Sequence, residues 1–294
     1  MTGDLCLLTV HAHPDDESSK GAGTVARYHA EGVRTVLVTC TGGEEGDILN
    51  PVLDTDEIRA NLADVRLSEL DVAARIIGYD EVALLGYRDS GMPDSPANAD
   101  PRCFAQAPLE EAVGRLVTII RRERPQVVIG YGPDQRGYLH PDHLRAHEVA
   151  LEAFLAAGDP DAFRGTGAPH TPLKLYYTAW THEQFLARHE KFLELGLESP
   201  YEQRIKEGWL ETAPDDETWT CRIDLTGFEH VRSDALRAHA TQIDPTSPHW
   251  FGLPDEIEHE IHSYDTFLLA QNRVGPIAPE DDLFAGVREV MQRA

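Results

Sequence analysis

Between His11 and Glu17 the chain reads His-Ala-His-Pro-Asp-Asp-Glu, which puts His13, Asp15, Asp16 and Glu17 within five positions. Imidazole and carboxylate are the ligand types of zinc and of harder divalent ions. His13 and Asp16, three apart around a proline-stiffened turn, can converge on one ion. The same chemistry returns much later in Tyr138-Leu139-His140-Pro141-Asp142-His143. One His and one Asp from the first stretch with one His from the second make three protein ligands. Three ligands leave a position for water, the pattern of a catalytic rather than a structural zinc site. Each stretch alone also reads as a turn closed by a helix cap, with Asp15 or Asp16 capping in the first and Asp142 in the second. Two such clusters after equivalent strands favour the metal.

With an ion in place the neighbouring side chains acquire roles. Asp15 projects toward the activated water as general base. His140 is a candidate general acid for a leaving amine, with Asp142 holding its ring and favouring the imidazolium. Tyr138 is a candidate donor to the developing oxyanion. The implied reaction is metal-assisted hydrolysis of an amide or related bond. A zincin-type pair, His143 and His147, has Leu-Arg-Ala between its histidines and so lacks a glutamate base. His147 therefore reads as a helix-face residue, and His11 as a strand residue packed near the site. A dinucleotide-binding fold would place Gly-x-Gly-x-x-Gly here. Bulky anionic side chains would instead repel a pyrophosphate, which excludes nicotinamide or flavin binding at this loop.

The elements that must position these residues follow from the pattern. Residues 5–11 form a nearly continuous apolar run, as a buried parallel strand requires. Further strands are expected at 33–40, 81–85, 127–131, 173–179 and 221–225, and helices at 23–30, 58–77, 108–123, 142–157, 181–197, 228–242 and 254–270. This alternation predicts an α/β fold, a Rossmann-like three-layer α/β/α arrangement with a mostly parallel sheet and a C-terminal extension. Both acidic histidine clusters follow strands, so both open at the sheet edge where ligands bind. Residues 1–180 are expected to form the catalytic domain, and 181–294 an extension or cap completing the same domain. The glycine-rich acidic loop 41–47 and the long loop 86–107 lie at the same edge.

Composition narrows the partners. The 294 residues are 41% hydrophobic, enough for a core, and carry a net charge of −25. Such a chain repels phosphate backbones and anionic lipid, so neither nucleic acid nor membrane is expected as a partner. The start has no basic n-region and no stretch has the length of a membrane span. Cys6, Cys40, Cys103 and Cys221 are scattered without CxxC spacing. A cytoplasmic enzyme without structural disulfides is expected.

The Ala-His-Pro-Asp-Asp-Glu motif with the later His-Pro-Asp-His resembles the zinc-dependent sugar N-deacetylases related to GlcNAc-PI de-N-acetylase, the LmbE-like family. The resemblance covers about the first 180 residues and resumes at Arg237-Ala238-His239-Ala240-Thr241-Gln242. It implies that His13, Asp16 and His143 hold Zn2+, one per chain, with Asp15 as the base; ferrous iron also suits such ligands. Two branches acting in mycothiol metabolism fit best. One removes acetate from N-acetylglucosaminyl-inositol. The other cleaves the amide joining S-substituted N-acetylcysteine to glucosaminyl-inositol, which makes a small pseudodisaccharide thiol conjugate the substrate. Glu17 to Ala22, Gly46 to Pro51 and Cys103 to Ala105 look like the amidase branch, and Arg88 to Gly91 suits both. A natural-product amino sugar is a further possible deacetylation substrate, and a non-catalytic sugar- or metal-binding protein is the alternative from another class. Gln135-Arg136-Gly137 departs from the family's Asn-Gly-Gly-like run. For the sugar hydroxyls the candidates are Lys20, Glu45, Arg66, Asp89 and Gln242, Arg66 reading equally as a helix-surface charge. Trp250 and Phe251 could line an apolar end of the cleft, or be an ordinary aromatic pair.

Overall fold

Leu5, Leu7 and Thr9 alternate along the first strand with Cys6, Leu8 and Val10, and all six are buried. A strand apolar on both faces needs a layer on each side, and the fold supplies them. The computed structural model describes residues 5–133, 138–179, 181–208, 219–275 and 280–293. Gln135, Arg136 and Gly137 lie outside the described residues.

The strands are β1 (Cys6–His11), β2 (Arg34–Thr41), β3 (Glu81–Tyr87), β4 (Val127–Gly130), β5 (Lys174–Ala179), β6 (Cys221–Asp224) and β7 (Tyr264–Asn272). They form one seven-stranded sheet in the order β3-β2-β1-β4-β5-β7-β6. The first five are parallel, with Leu8 opposite Val36 on one side and Val128 on the other. Chain order reverses between β1 and β4, and such a switch point opens a crevice beyond the strands' carboxyl ends.

Helices α1 (Asp16–Ser19), α2 (Ala22–Ala30), α3 (Asp56–Ala60), α4 (Leu62–Ile77), α5 (Leu109–Glu123), α6 (Pro141–Ala156) and α7 (His182–Glu194) follow in chain order. Leu8 and Val10 pack with Val113, Leu116 and Val117 of α5 and Val149, Ala153 and Phe154 of α6. Leu7 packs on the other face with Val25 of α2, Ala73 and Ile77 of α4, and Val231 and Ala235 of the helix Val231–Ala238. Gly78 ends α4 at φ 92°, a left-handed cap that a side chain rarely adopts.

Residues beyond 180 continue this sheet. Strand β7 runs antiparallel between β5 and β6, and Leu283, Phe284 and Val287 are buried in the second core. Phe192 of α7 packs with Tyr201, Leu253 and Ile261 in a third cluster.

Two elements differ from the periodicity. The helix expected over 58–77 is two helices broken at Asn61, whose amide donates to the Glu57 carbonyl at 2.8 Å. The helix expected over 254–270 stops at Ile261, and Tyr264–Asn272 is a strand. Tyr264, Thr266 and Phe267 are strand formers, and the open edge of β5 gives them a partner. All four cysteines are buried thiols. Among the described residues no helix is long and apolar enough to cross a membrane.

Candidate active site

The turn after β1 and the start of α6 after β4 face one another across the switch point. His13, Asp16 and His143 present ligand atoms that lie within 4.8 Å of one another, and all three side chains are buried. Asp16 Oδ2 is 3.4 Å from His13 Nδ1 and 3.4 Å from His143 Nε2. Tetrahedral zinc with ligand bonds of 2.0–2.1 Å has ligand–ligand edges of about 3.3 Å. Both edges from Asp16 therefore already match a zinc-sized ion, and the third ligand pair lies within 4.8 Å. His13, Asp89 and His140 form a second group within the same limit, sharing the His13 ring.

The surroundings hold each candidate ligand. His13 is backed on Nε2 by Asp142 at 3.2 Å and Asp89 at 3.5 Å, the outer carboxylates that orient a ligating imidazole. Burial works against a charged His13, but hydrogen bonds to Asp142, Asp16 and Asp89 outweigh it and hold the ring's pKa well above the usual histidine range. This pocket thus seeks positive charge. Burial also works against a charged Asp16, yet the charges of Lys20 and His143 keep its carboxyl well below the ordinary range. Lys20 Nζ reaches Asp16 Oδ1 at 2.5 Å. His143 stacks on Tyr131 with ring centres 4.6 Å apart, and the Tyr131 hydroxyl accepts the Ala12 N–H at 3.0 Å.

Asp15 stands beside these ligands in an unusual backbone, φ 118° and ψ −26°. Such a conformation costs a non-glycine residue of order 1–3 kcal/mol and persists only where the surroundings enforce it. Arg66 is part of the enforcement. Its guanidinium donates to the Pro14 carbonyl at 2.5 Å, to Asp15 Oδ2 at 3.1 Å and to the Gly43 carbonyl. Gly43, at φ +68°, has no room for a Cβ against that guanidinium, and a Cβ on Gly46 would stand 2.6 Å from Arg66 Nη1. Burial raises the Asp15 carboxyl above its ordinary pKa, with Arg66 opposing.

The second half of the site departs from the sequence reading in one respect. The Asp142 carboxylate does not hold the His140 ring. It is saturated by the Ser90 N–H at 2.9 Å, the Ser90 hydroxyl and His13. His140 Nδ1 instead accepts the Asp142 backbone N–H at 3.2 Å, which leaves Nε2 to carry the ring proton. Burial, and then the positive His13 beside it, lower His140 to about 4. Tyr138 is exposed, its ring 5.3 Å from His143. His147 lies away from the ligands, its Nδ1 against the Tyr131 carbonyl at 2.8 Å. His11 is buried edge-on to Tyr131.

The residues expected to meet substrate divide. Asp89 is buried beside His13 and accepts the Gly91 N–H at 2.8 Å and the Glu45 N–H at 3.3 Å. Glu45 pairs with Arg88 and stays partly exposed. Gln242 is buried with its amide on Thr241 Oγ1 at 3.2 Å. Arg66 is only 3% exposed and committed to protein acceptors, so it is not a surface charge. Residue types and spacing missed Ser90, Tyr131 and the buried pair Glu17–His239, bonded at 2.7 Å. Glu17 and His239 were both present in recognisable motifs, but nothing local says that they meet.

The family model described as GlcNAc-PI de-N-acetylase (PIG-L) matches residues 8–154. A mycothiol S-conjugate amidase from Streptomyces coelicolor is 44% identical over 98% of this chain and 99% of its own length. A 1D-myo-inositol 2-acetamido-2-deoxy-alpha-D-glucopyranoside deacetylase from Geodermatophilus obscurus is 39% identical over 98% of this chain and 99% of its own. Among solved structures, the N,N'-diacetylchitobiose deacetylase of Pyrococcus horikoshii shares the fold, with a TM-score of 0.62 at 18% identity over 92% of this chain and 85% of that one.

Proposed function

The chain belongs to the GlcNAc-PI de-N-acetylase family, and on that premise we propose a zinc-dependent amidase that cleaves the glucosaminyl-inositol to N-acetylcysteine amide of mycothiol S-conjugates. The observation that carries the chemistry is Asp16 Oδ2 lying 3.4 Å from both His13 Nδ1 and His143 Nε2, with Asp15 beside it. His13, Asp16 and His143 would hold the ion, which when bound polarises the amide carbonyl and lowers the pKa of water. Asp15 takes the proton of the attacking water. Its raised carboxyl makes it a better proton acceptor than an ordinary surface aspartate. Tyr138 donates to the carbonyl oxygen as charge develops there. The amine leaves with the proton that Asp15 has taken from the water, and the Nε2–H of His140 is the hydrogen-bond partner we assign to it. Lys20, Glu45, Asp89 and Gln242 are the groups we assign to the sugar and inositol hydroxyls. Arg66 acts from behind, on Asp15.

The similarity to the amidase supports the conjugate as substrate. A second reading, deacetylation of N-acetylglucosaminyl-inositol, draws on the deacetylases that match at 38–40% identity and would use the same residues. Turnover of bimane-labelled mycothiol and of the acetylated pseudodisaccharide by one zinc-loaded preparation separates them. A higher kcat/KM on the labelled conjugate is expected. Preference for the acetylated compound would transfer the chain to the second reading.

A further inference from the structure

Glu17 closes the opening motif, His239 lies in the stretch from Arg237 to Gln242, and both side chains are fully buried. The His239 Nε2–H donates to Glu17 Oε1 at 2.7 Å across 222 residues of sequence. Glu17 Oε1 also accepts the Ser18 hydroxyl at 2.5 Å. The other oxygen, Oε2, accepts the backbone N–H of Asp15 at 2.9 Å. That last bond bears on the site, because Asp15 is the residue with the unfavourable backbone at φ 118°.

A glutamate that accepts the amide N–H two residues before it has three side-chain torsions to fix. The bond from His239 fixes them from outside, since it commits Oε1 and leaves Oε2 for the Asp15 amide. Asp15 is then held on both sides, its carboxyl by Arg66 and its backbone by Glu17. We infer that Glu17 and His239 are positioning residues for Asp15, the ring fixing the carboxylate and the carboxylate fixing the backbone that aims the base. The inference rests on the reading of Asp15 as the base of amide hydrolysis. It also gives the helix Val231–Ala238 a part in the chemistry, because that helix carries His239 to α1. A buried pair that only ties this helix to α1 would stabilise the fold without touching kcat.

The test uses the full-length, zinc-loaded protein as wild type, His239→Ala, His239→Gln and Glu17→Gln. kcat, KM, zinc content and the Asp15 amide resonance are measured on each. In His239→Ala, kcat should fall about 10- to 100-fold, with KM within about twofold and zinc retained. His239→Gln should recover most of kcat, because an amide N–H still donates to Oε1. Glu17→Gln should lower kcat and move the Asp15 amide proton upfield, since one amide oxygen cannot replace both carboxylate oxygens. If His239→Ala does not fold, the contrast between His239→Gln and Glu17→Gln decides. Wild-type kcat in folded His239→Ala, or in Glu17→Gln with the Asp15 resonance unmoved, overturns the inference. If the wild type hydrolyses neither the mycothiol conjugate nor the acetylated compound, the amidase reading fails, while the Asp15 resonance still judges the pair.

Discussion

Replacing Arg66 by alanine removes a buried guanidinium that serves Pro14, Gly43 and Asp15 together. Two backbone carbonyls lose their donor, at about 1–3 kcal/mol each if they stay dry, and a charge-assisted bond of about 1.5–3 kcal/mol goes with them. The void is walled by the backbone of Gly43 and Gly46, so side chains cannot collapse into it. Water can, because the Asp15 side chain is 28% exposed and offers a way in. Rehydration offsets part of the loss, and a net destabilisation of about 3 kcal/mol is expected. For a chain of 294 residues that corresponds to a melting point lower by roughly 5 °C. The change should also reach the chemistry. Arg66 opposes the burial that raises the Asp15 carboxyl, so its removal moves the acid limb of the kcat/KM profile to higher pH. Thermal denaturation and a pH–rate profile on one preparation test both statements. A melting point within about 2 °C of wild type, together with an unmoved acid limb, would refute the reasoning.

Three further predictions rest on separate parts of the structure. His143→Ala should lose zinc as well as activity, since it removes one of the three proposed ligands; elemental analysis showing one zinc per chain in this variant would count against the assignment. Tyr138→Phe should lower kcat by about tenfold or more while leaving the melting point unchanged, because the ring is exposed and its hydroxyl is assigned only to the oxyanion. Stability should fall with acid in two stages. Burial holds His249 at about 4 against the ordinary 6.5, so the unfolded chain binds that proton first and stability declines from pH 6.5 toward 4. Glu17, held at about 2 against 4.5 because His239 outweighs its burial, extends the decline from pH 4.5 toward 2. Urea midpoints measured across this range should show both stages, and a midpoint that is flat between pH 6.5 and 4 would contradict the first.

The residues that were legible in the sequence are those whose chemistry is local. His13 and Asp16 sit three apart, and the run before them reads as a strand because it is apolar on both faces. His143 was legible as a member of a second such cluster. What sequence could not supply is the set of long-range partners. Asp142 looks, two residues from His140, like that ring's carboxylate; only the fold brings Ser90 and His13 within its reach. Arg66 reads as one more charge on an amphipathic helix until the loops at Pro14 and Gly43 close over it. The strand Tyr264–Asn272 was hidden for the same reason, since its pairing partner β5 lies nearly ninety residues earlier. Glu17 and His239 combine both cases, two visible motif residues whose meeting depends on the whole fold.

In the proposed mechanism Asp15 moves the proton while His13, Asp16 and His143 hold the ion. Zinc content and turnover of the mycothiol conjugate, measured on the same preparation of Asp15→Asn beside wild type, test it most directly. One zinc per chain with kcat reduced by about 100-fold or more is the expected result. Loss of the zinc would make Asp15 a ligand, and retained turnover would remove it from the mechanism.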